Sequence, residues 1–356
     1  MTEPSTPSPL HKFFRAFELI FGSKRFGWIQ WVFIILVALA FIGMPQKPQG
    51  TDWDLNTSGF WDDIPRTYLN NENFVYPPWG IILMWPYFWV GAGGARVLSV
   101  LTIGWLVHRR GWPLSSFLAI ILSPYFLLAM SISNIDVLVM VLPILLWEFG
   151  EGKKGQNVLR GLALSLMLVK PQGALPVVLF LVWKSRKDWR GLAVQLAVAA
   201  ALLIPISLVG SPPLLAQWLD NILTPSAMNQ GFWRYNNVSL TQKWGVWIAA
   251  GTLLLVASGF ALLFRKRPVA WNSNQTLAAL ILSSMLMMPY TSVQSLVAGL
   301  ALIPSWPAFL LQWVIMSLGL LSNSFFESIH GWSLLAATGT LLLFSLTNLA
   351  RPRPVE

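Results

Sequence analysis

Lys170 and Gln172 interrupt one long apolar run, residues 158–183, and Ser133, Asn134 and Asp136 open another at 132–148. Ionisable groups inside apolar sequence are costly and commonly functional. Two polar stretches, 44–78 and 211–243, lie between other apolar runs. The first holds Asp52, Asp54, Asp62, Asp63 and Glu72, five of the chain's 14 carboxylates, interleaved with Trp53, Phe60, Trp61 and Tyr68. The second holds Arg234, Tyr235, Asn236, Asn237 and Ser239. A carboxylate can take a proton from an attacking hydroxyl. Lysine and arginine can neutralise a phosphate, while asparagine and serine suit phosphate or sugar hydroxyls. Each group also has a plainer role: a solvated acidic loop, an Asp136–Lys170 structural ion pair, or a lysine snorkelling to the interface. The chain has no cysteine, which removes thiol nucleophiles, thiolate metal sites and disulfides. His11, His108 and His330 stand far apart, so no metal and no other cofactor is expected.

Such groups need a scaffold, and the composition names its solvent. Of 356 residues, 55% are hydrophobic and 11% charged, with a mean hydropathy of +0.60. Soluble domains carry about 25% charged residues. This chain lacks the polar surface to cover a soluble globule of its size, and a disordered chain is excluded; it reads as a polytopic membrane protein. A helix needs about 20 apolar residues to cross a ~30 Å hydrocarbon core. Candidate spans are 27–43, 79–107, 112–130, 132–148, 191–210, 244–264, 272–288, 293–304, 306–322 and 330–348. The run 158–183 has basic residues at both ends and Lys170-Pro171-Gln172 in the middle. That pattern predicts a hairpin of two short helices with its tip at Lys170. The expectation is an all-α transmembrane bundle of about twelve membrane helices, edged by tryptophans such as Trp28, Trp79, Trp112, Trp147 and Trp183.

The net charge of +10 raises the question of a nucleic-acid partner. Placement answers it. Eighteen of the 24 basic residues fall on one side of this topology, including Lys24, Arg25, Arg109, Arg110, Lys153, Lys154 and the Lys184–Arg190 stretch. Lys47, Arg66, Arg234 and Lys243 fall on the other, and Arg96 and Lys170 lie within apolar runs. This is the positive-inside asymmetry. It predicts cytoplasmic tails at 1–26 and 349–356 around a single membrane domain at 27–348, with 44–78 and 211–243 as outer loops. No small-residue cleavage site follows the run at 27–43, so no cleavable signal is expected. The loops, Lys170 and the start of the 132–148 run then converge on the outer face.

Five local patterns carry a family resemblance. Gly50-Thr51-Asp52-Trp53 sets an acidic and then a bulky apolar residue soon after the first span. Phe74-Val75-Tyr76-Pro77-Pro78-Trp79, with Pro86 following, leads into the second. Ser133-Asn134-Ile135-Asp136 heads an apolar helix. Arg160-Gly161 through Leu168-Val169-Lys170-Pro171-Gln172 closes in the basic stretch Lys184 to Arg190, and Asn237-Val238-Ser239-Leu240 is a shorter match. Over residues 27–245, with a weaker tail to 304, the chain resembles glycosyltransferase family 87. Two departures stand out: Ser133 replaces the more usual glycine, and Asn56 stands near an expected tyrosine.

The resemblance implies a bundle of the GT-C superfold in a bacterial cell membrane. It implies inverting transfer of a sugar, typically mannose, from a polyprenyl-phosphate donor to a lipid or glycan acceptor at the outer interface. By the same resemblance, Asp52, with Asp54 second, is the catalytic base. Tyr76, Asn134, Asp136, Lys170, Gln172, Arg234 and Asn237 are the candidate substrate-binding residues, with Lys170 and Arg234 neutralising the departing phosphate. The rival is a transporter or flippase of a lipid-linked sugar or an anion. Transporters often pair broken helices from internal repeats, and only one Lys-Pro break occurs here. A non-enzymatic scaffold would have no need of the converging polar groups.

Overall fold

The structure is a computed structural model that describes residues 27–45, 64–66, 76–223, 245, 247–248, 250–251, 254, 273–287, 295–304, 309–310 and 312–314. Every regular element among them is helical. The order is α1 (Trp28–Ala40, prolonged by a 3₁₀ turn at Phe41–Gly43), a 3₁₀ turn at Ile64–Arg66, α2 (Pro78–Arg109), α3 (Leu114–Ile121) and α4 (Pro124–Ser131). A π-helical segment (Val137–Val141) runs into α5 (Leu142–Phe149). There follow α6 (Gln156–Met167), α7 (Pro171–Ser185), α8 (Trp189–Ser207), α9 (Leu214–Leu223), α10 (Ser273–Met287) and α11 (Leu296–Ala301).

Local chemistry sets several of these boundaries. Pro78, Pro124 and Pro171 open α2, α4 and α7, where a missing N–H costs nothing. Ser123 caps α4 by accepting from the Phe126 amide at 3.2 Å, and Asp188 caps α8 by accepting from the Gly191 amide at 2.9 Å. Gly91 interrupts α2 with φ 68° and ψ 176°, a conformation that only glycine adopts cheaply. Within the expected span 79–107, the membrane-length part is therefore Trp89–Arg109, with a separate helical stretch before the kink.

Other spans also differ from the sequence expectation. The run 112–130 divides into α3 and α4, bent by 58°. The run 132–148 is not helical at its start, because residues 132–135 form a turn and an irregular link ahead of Asp136 and the π-helical segment. The stretch 211–243 is not all loop, since α9 occupies Leu214–Leu223 and buries Leu214 and Gln217. Among the described residues, Trp89–Arg109 and α8 are long and apolar enough to cross a membrane, and the bent α3–α4 pair makes a third candidate. Twelve spans are therefore not shown, and the runs 244–264, 306–322 and 330–348 lie largely or wholly outside the described residues.

The outward surface of the bundle suits lipid. Trp28, Ile29, Val32, Ile35, Leu36 and Leu39 of α1 are exposed, while Ile34 and Ala38 are buried. An apolar outer stripe beside an apolar inner one is what a hydrocarbon solvent requires.

Side-chain contacts define the two ends of the bundle. α1 and α2 run antiparallel. Trp31 meets His108 edge-on with ring centroids 5.5 Å apart, and at the opposite end Ile42 packs against Gly93. At the His108 end, Arg110 pairs with Glu148 at 2.6 Å and Trp105 meets Phe149. α6 leaves this same end, and α8 starts beside it, with Gln195 Nε2 donating to Asn157 Oδ1 at 3.0 Å. α7 must therefore carry the chain back, so the reversal expected at Lys170 is present. Close packing makes it possible, because a Cβ on Gly161 of α6 would lie 2.6 Å from the Gln195 carbonyl oxygen. Gly161→Val is expected to destabilise the protein by about 1–3 kcal/mol through overpacking against backbone that cannot yield. Thermal unfolding in detergent reads this as a lowered Tm, and an unchanged Tm would show that α6 and α8 can separate freely.

Candidate active site

At the end away from Arg110, a turn at residues 132–136 joins α4 to the π-helical segment. α4 stops in a Schellman arrangement: the Asn134 amide donates to the Ala129 carbonyl at 2.8 Å and the Ser133 amide to Met130 at 3.1 Å. That closure puts Ser133 at φ 52°, a left-handed position where glycine costs least. The glycine more usual in the resembling family fits the same backbone. Asn134 Oδ1 then accepts from the Asp136 amide at 2.8 Å, fixing the turn and starting the next helix. The π-helical register that follows begins one residue after Asp136, a kind of irregularity often found at functional sites.

Asp136 is wholly buried, and Lys170 Nζ lies 2.5 Å from its Oδ1. The ammonium also sits 5.2 Å from the centre of the Tyr76 ring, within cation–π range. Lys170 is the residue before α7, so the break between α6 and α7 is what presents it. α2 supports that break from the side. Trp79 Nε1 donates to the Leu168 carbonyl at 2.8 Å, satisfying an acceptor that α6 leaves open at its C-terminus. Trp79 also meets Trp218 of α9 edge-on at 5.9 Å.

Arg96 joins the cluster from the other side. Its Nε donates to Ser133 Oγ at 3.1 Å and its Nη1 to the Met44 carbonyl at 2.5 Å. The two long polar stretches meet here as well, because Gln217 Nε2 donates to the Pro65 carbonyl at 2.9 Å. Two groups of contacts, Met44–Arg96–Ser133 and Asp136–Lys170–Tyr76, are joined here through the backbone of the 133–136 segment.

Of the residues singled out from sequence, Tyr76, Asn134, Asp136 and Lys170 come together. Gln172 lies in the first turn of α7, two positions past Lys170. Asp52, Asp54, Arg234 and Asn237 lie outside the described residues. Arg96, Trp79 and Gln217 belong to the cluster but were not selected on sequence. For Arg96 a signal existed, since only it and Lys170 among the basic residues fall inside apolar runs. Among the described residues, no three His, Asp or Glu side chains gather as a metal site would require.

The model of glycosyltransferase family 87 matches residues 74–293, which include the whole 132–136 turn, Lys170 and Arg96. No curated protein and no solved structure matches the chain.

The pairing at Asp136 makes a stability prediction. Lys170→Met leaves a buried carboxylate unpaired and is expected to cost about 3–5 kcal/mol. Adding Asp136→Leu should restore most of that loss, since the double variant buries no charge. Unfolding of both variants in detergent decides it, and a Lys170→Met protein of parental stability would mean that the pair braces nothing.

Proposed function

Because this chain belongs to glycosyltransferase family 87, we propose that it transfers a sugar, mannose, from a polyprenyl-phosphate donor to a lipid or glycan acceptor. Family membership makes it a glycosyltransferase, acting on a sugar donor and an acceptor, and its candidate membrane helices fit an integral membrane protein. The gathering of polar side chains at one end of a lipid-faced bundle carries the finer reading. A lipid-phosphate sugar keeps its phosphate at headgroup depth, so the groups that handle it must lie at that depth too. Tyr76, Asn134, Asp136 and Lys170 gather at the end of the bundle opposite the Arg110–Glu148 pair, which supports such a placement. With the basic belt cytoplasmic, that end faces outward.

The reaction is a single displacement with inversion. The acceptor hydroxyl attacks the anomeric carbon while a carboxylate takes its proton. Asp52 fills that role, with Asp54 as the alternative. Lys170, Arg234, Gln172 and Asn237 are the residues assigned to the phosphate and the sugar in this reading. Asp136 and Asn134 hold Lys170 and the turn in place. Cations fixed where charge develops need no reorganisation during the reaction.

Proteoliposomes supplied with labelled polyprenyl-phosphate-mannose and a lipid acceptor test this. Asp52→Asn is expected to lower turnover by about 10²–10⁴-fold, the usual contribution of a general base, with Asp54→Asn much milder. If both variants transfer sugar at the parental rate, neither is the base. Movement of the donor between leaflets without product would instead support a flippase.

A further inference from the structure

α2 buries a guanidinium that pairs with no carboxylate among the described residues. Arg96 is 3% exposed. Its Nε and Nη1 donate to a serine hydroxyl and a backbone carbonyl, both uncharged. Its Nη2 is buried with no hydrogen-bond partner among the described residues. The carboxylate on the same turn, Asp136, is already paired with Lys170. Those two charges cancel, so the net positive charge of the cluster rests on Arg96. An uncompensated charge in a membrane bundle is expensive, and proteins retain one where an anion or a charge-bearing step requires it.

The turn is shaped around this group. Glycine would relieve the left-handed backbone at position 133, yet only a side chain with an acceptor can hold Arg96 Nε. Serine there accepts a strained backbone and orients the guanidinium in return. Met44, at the end of the first helical stretch, fixes the second nitrogen. Two arms of the planar fork are thus set, and the third is left for an oxygen from elsewhere. Arginine forks match phosphate oxygens in just this planar way.

We propose that Arg96 binds the phosphate of the donor lipid and receives the charge that forms as the sugar leaves. This rests on the glycosyl-transfer reading above. In the step, the acceptor oxygen bonds to the anomeric carbon and gives its proton to a carboxylate. The bond from the anomeric carbon to the phosphate oxygen breaks, and its electron pair stays on that oxygen. A phosphodiester monoanion becomes a phosphate monoester, with one more negative charge. A guanidinium already held in place, in a low-dielectric setting, stabilises that change without reorganising.

The test uses the full chain in nanodiscs with three ligands: a short-chain polyprenyl phosphate, the polyprenol of the same length, and inorganic phosphate. The parental protein should bind the lipid phosphate at least about tenfold more tightly than the alcohol, the scale of one charge-assisted contact. Arg96→Gln should erase that preference and Arg96→Lys keep part of it. In turnover, Arg96→Gln should lower kcat by about 10²-fold or more, with a smaller change in KM, because the contact strengthens in the transition state. Competition by inorganic phosphate would mark a general phosphate site, and its failure a site that also needs the lipid chain; both support the assignment. An Arg96→Gln protein that keeps the parental preference overturns it and gives the guanidinium to an internal carboxylate. Should Arg96→Gln fail to fold, the parental protein decides: no preference for lipid phosphate over alcohol overturns the site. A phosphate preference that depends on Arg96 without sugar transfer from any donor would remove the transfer reading and leave the site standing. Transfer with a preference indifferent to Arg96 would do the reverse.

Discussion

A charge taken out of water has to be paid for by another charge close by, and the Asp136–Lys170 contact is where this bundle does so. The pair joins two parts of the chain that both break their helices. Asp136 ends the turn after α4, and Lys170 stands between α6 and α7. A break in a helix exposes backbone groups that lipid cannot satisfy. Here they are met locally: by the Schellman closure at Ala129 and Met130, by Asn134 on the Asp136 amide, and by Trp79 on the Leu168 carbonyl. The ion pair binds the two breaks to one another. Tyr76 and Ser133 then extend the contact to α2, and through Arg96 to the end of the first helical stretch.

The close packing elsewhere serves the same end. α6 lies close against α8 because Gly161 leaves room for the Gln195 carbonyl, and Gly173 of α7 packs against the tips of Met140 and Met285. A Cβ on Gly173 would come within 2.5 Å of the Met140 terminal methyl carbon. Met140 lies in the π-helical segment that starts just after Asp136. The irregular register, the small residue and the buried charge are therefore parts of one local solution. A regular helix from 132 to 148 would carry Asp136 on the same face as its neighbours one turn on, with no turn to set it opposite Lys170.

Much of this was legible in the amino-acid sequence, for identifiable reasons. Lys170-Pro171 was recognisable because a charge and a proline together cannot sit in the middle of a lipid-crossing helix. Asn134, Asp136 and Lys170 followed from asking which polar residues interrupt apolar runs, and Tyr76 from the Tyr76-Pro77-Pro78 pattern of the family resemblance. Hydropathy alone could not find the bend between α3 and α4, because both halves remain apolar, whereas Pro86 and Gly91 to Gly94 marked the break in the 79–107 run. It also could not show α9. Leu214-Leu215-Ala216-Gln217-Trp218-Leu219 is short and sits between prolines and polar residues, and its packing on Trp79 is tertiary. Arg96 stood out as a basic residue inside an apolar run, but its partners, a hydroxyl and a backbone carbonyl, are set by tertiary contacts that no charge pattern reveals.

On the proposed orientation, the polar cluster opens on the membrane face opposite the basic residues of the Arg109–Arg110 and Lys184–Arg190 stretches. The chain's lack of cysteine allows a direct measurement. Single cysteines placed at Pro45, an exposed residue next to the Met44 carbonyl that holds Arg96, and at Lys187, exposed after α7, can be labelled in sealed vesicles of known sidedness with a thiol reagent that does not cross membranes. The structure read with the positive-inside rule predicts that Pro45→Cys is labelled from the outer side only and Lys187→Cys from the cytoplasmic side only. Labelling of both from the same side would contradict that orientation.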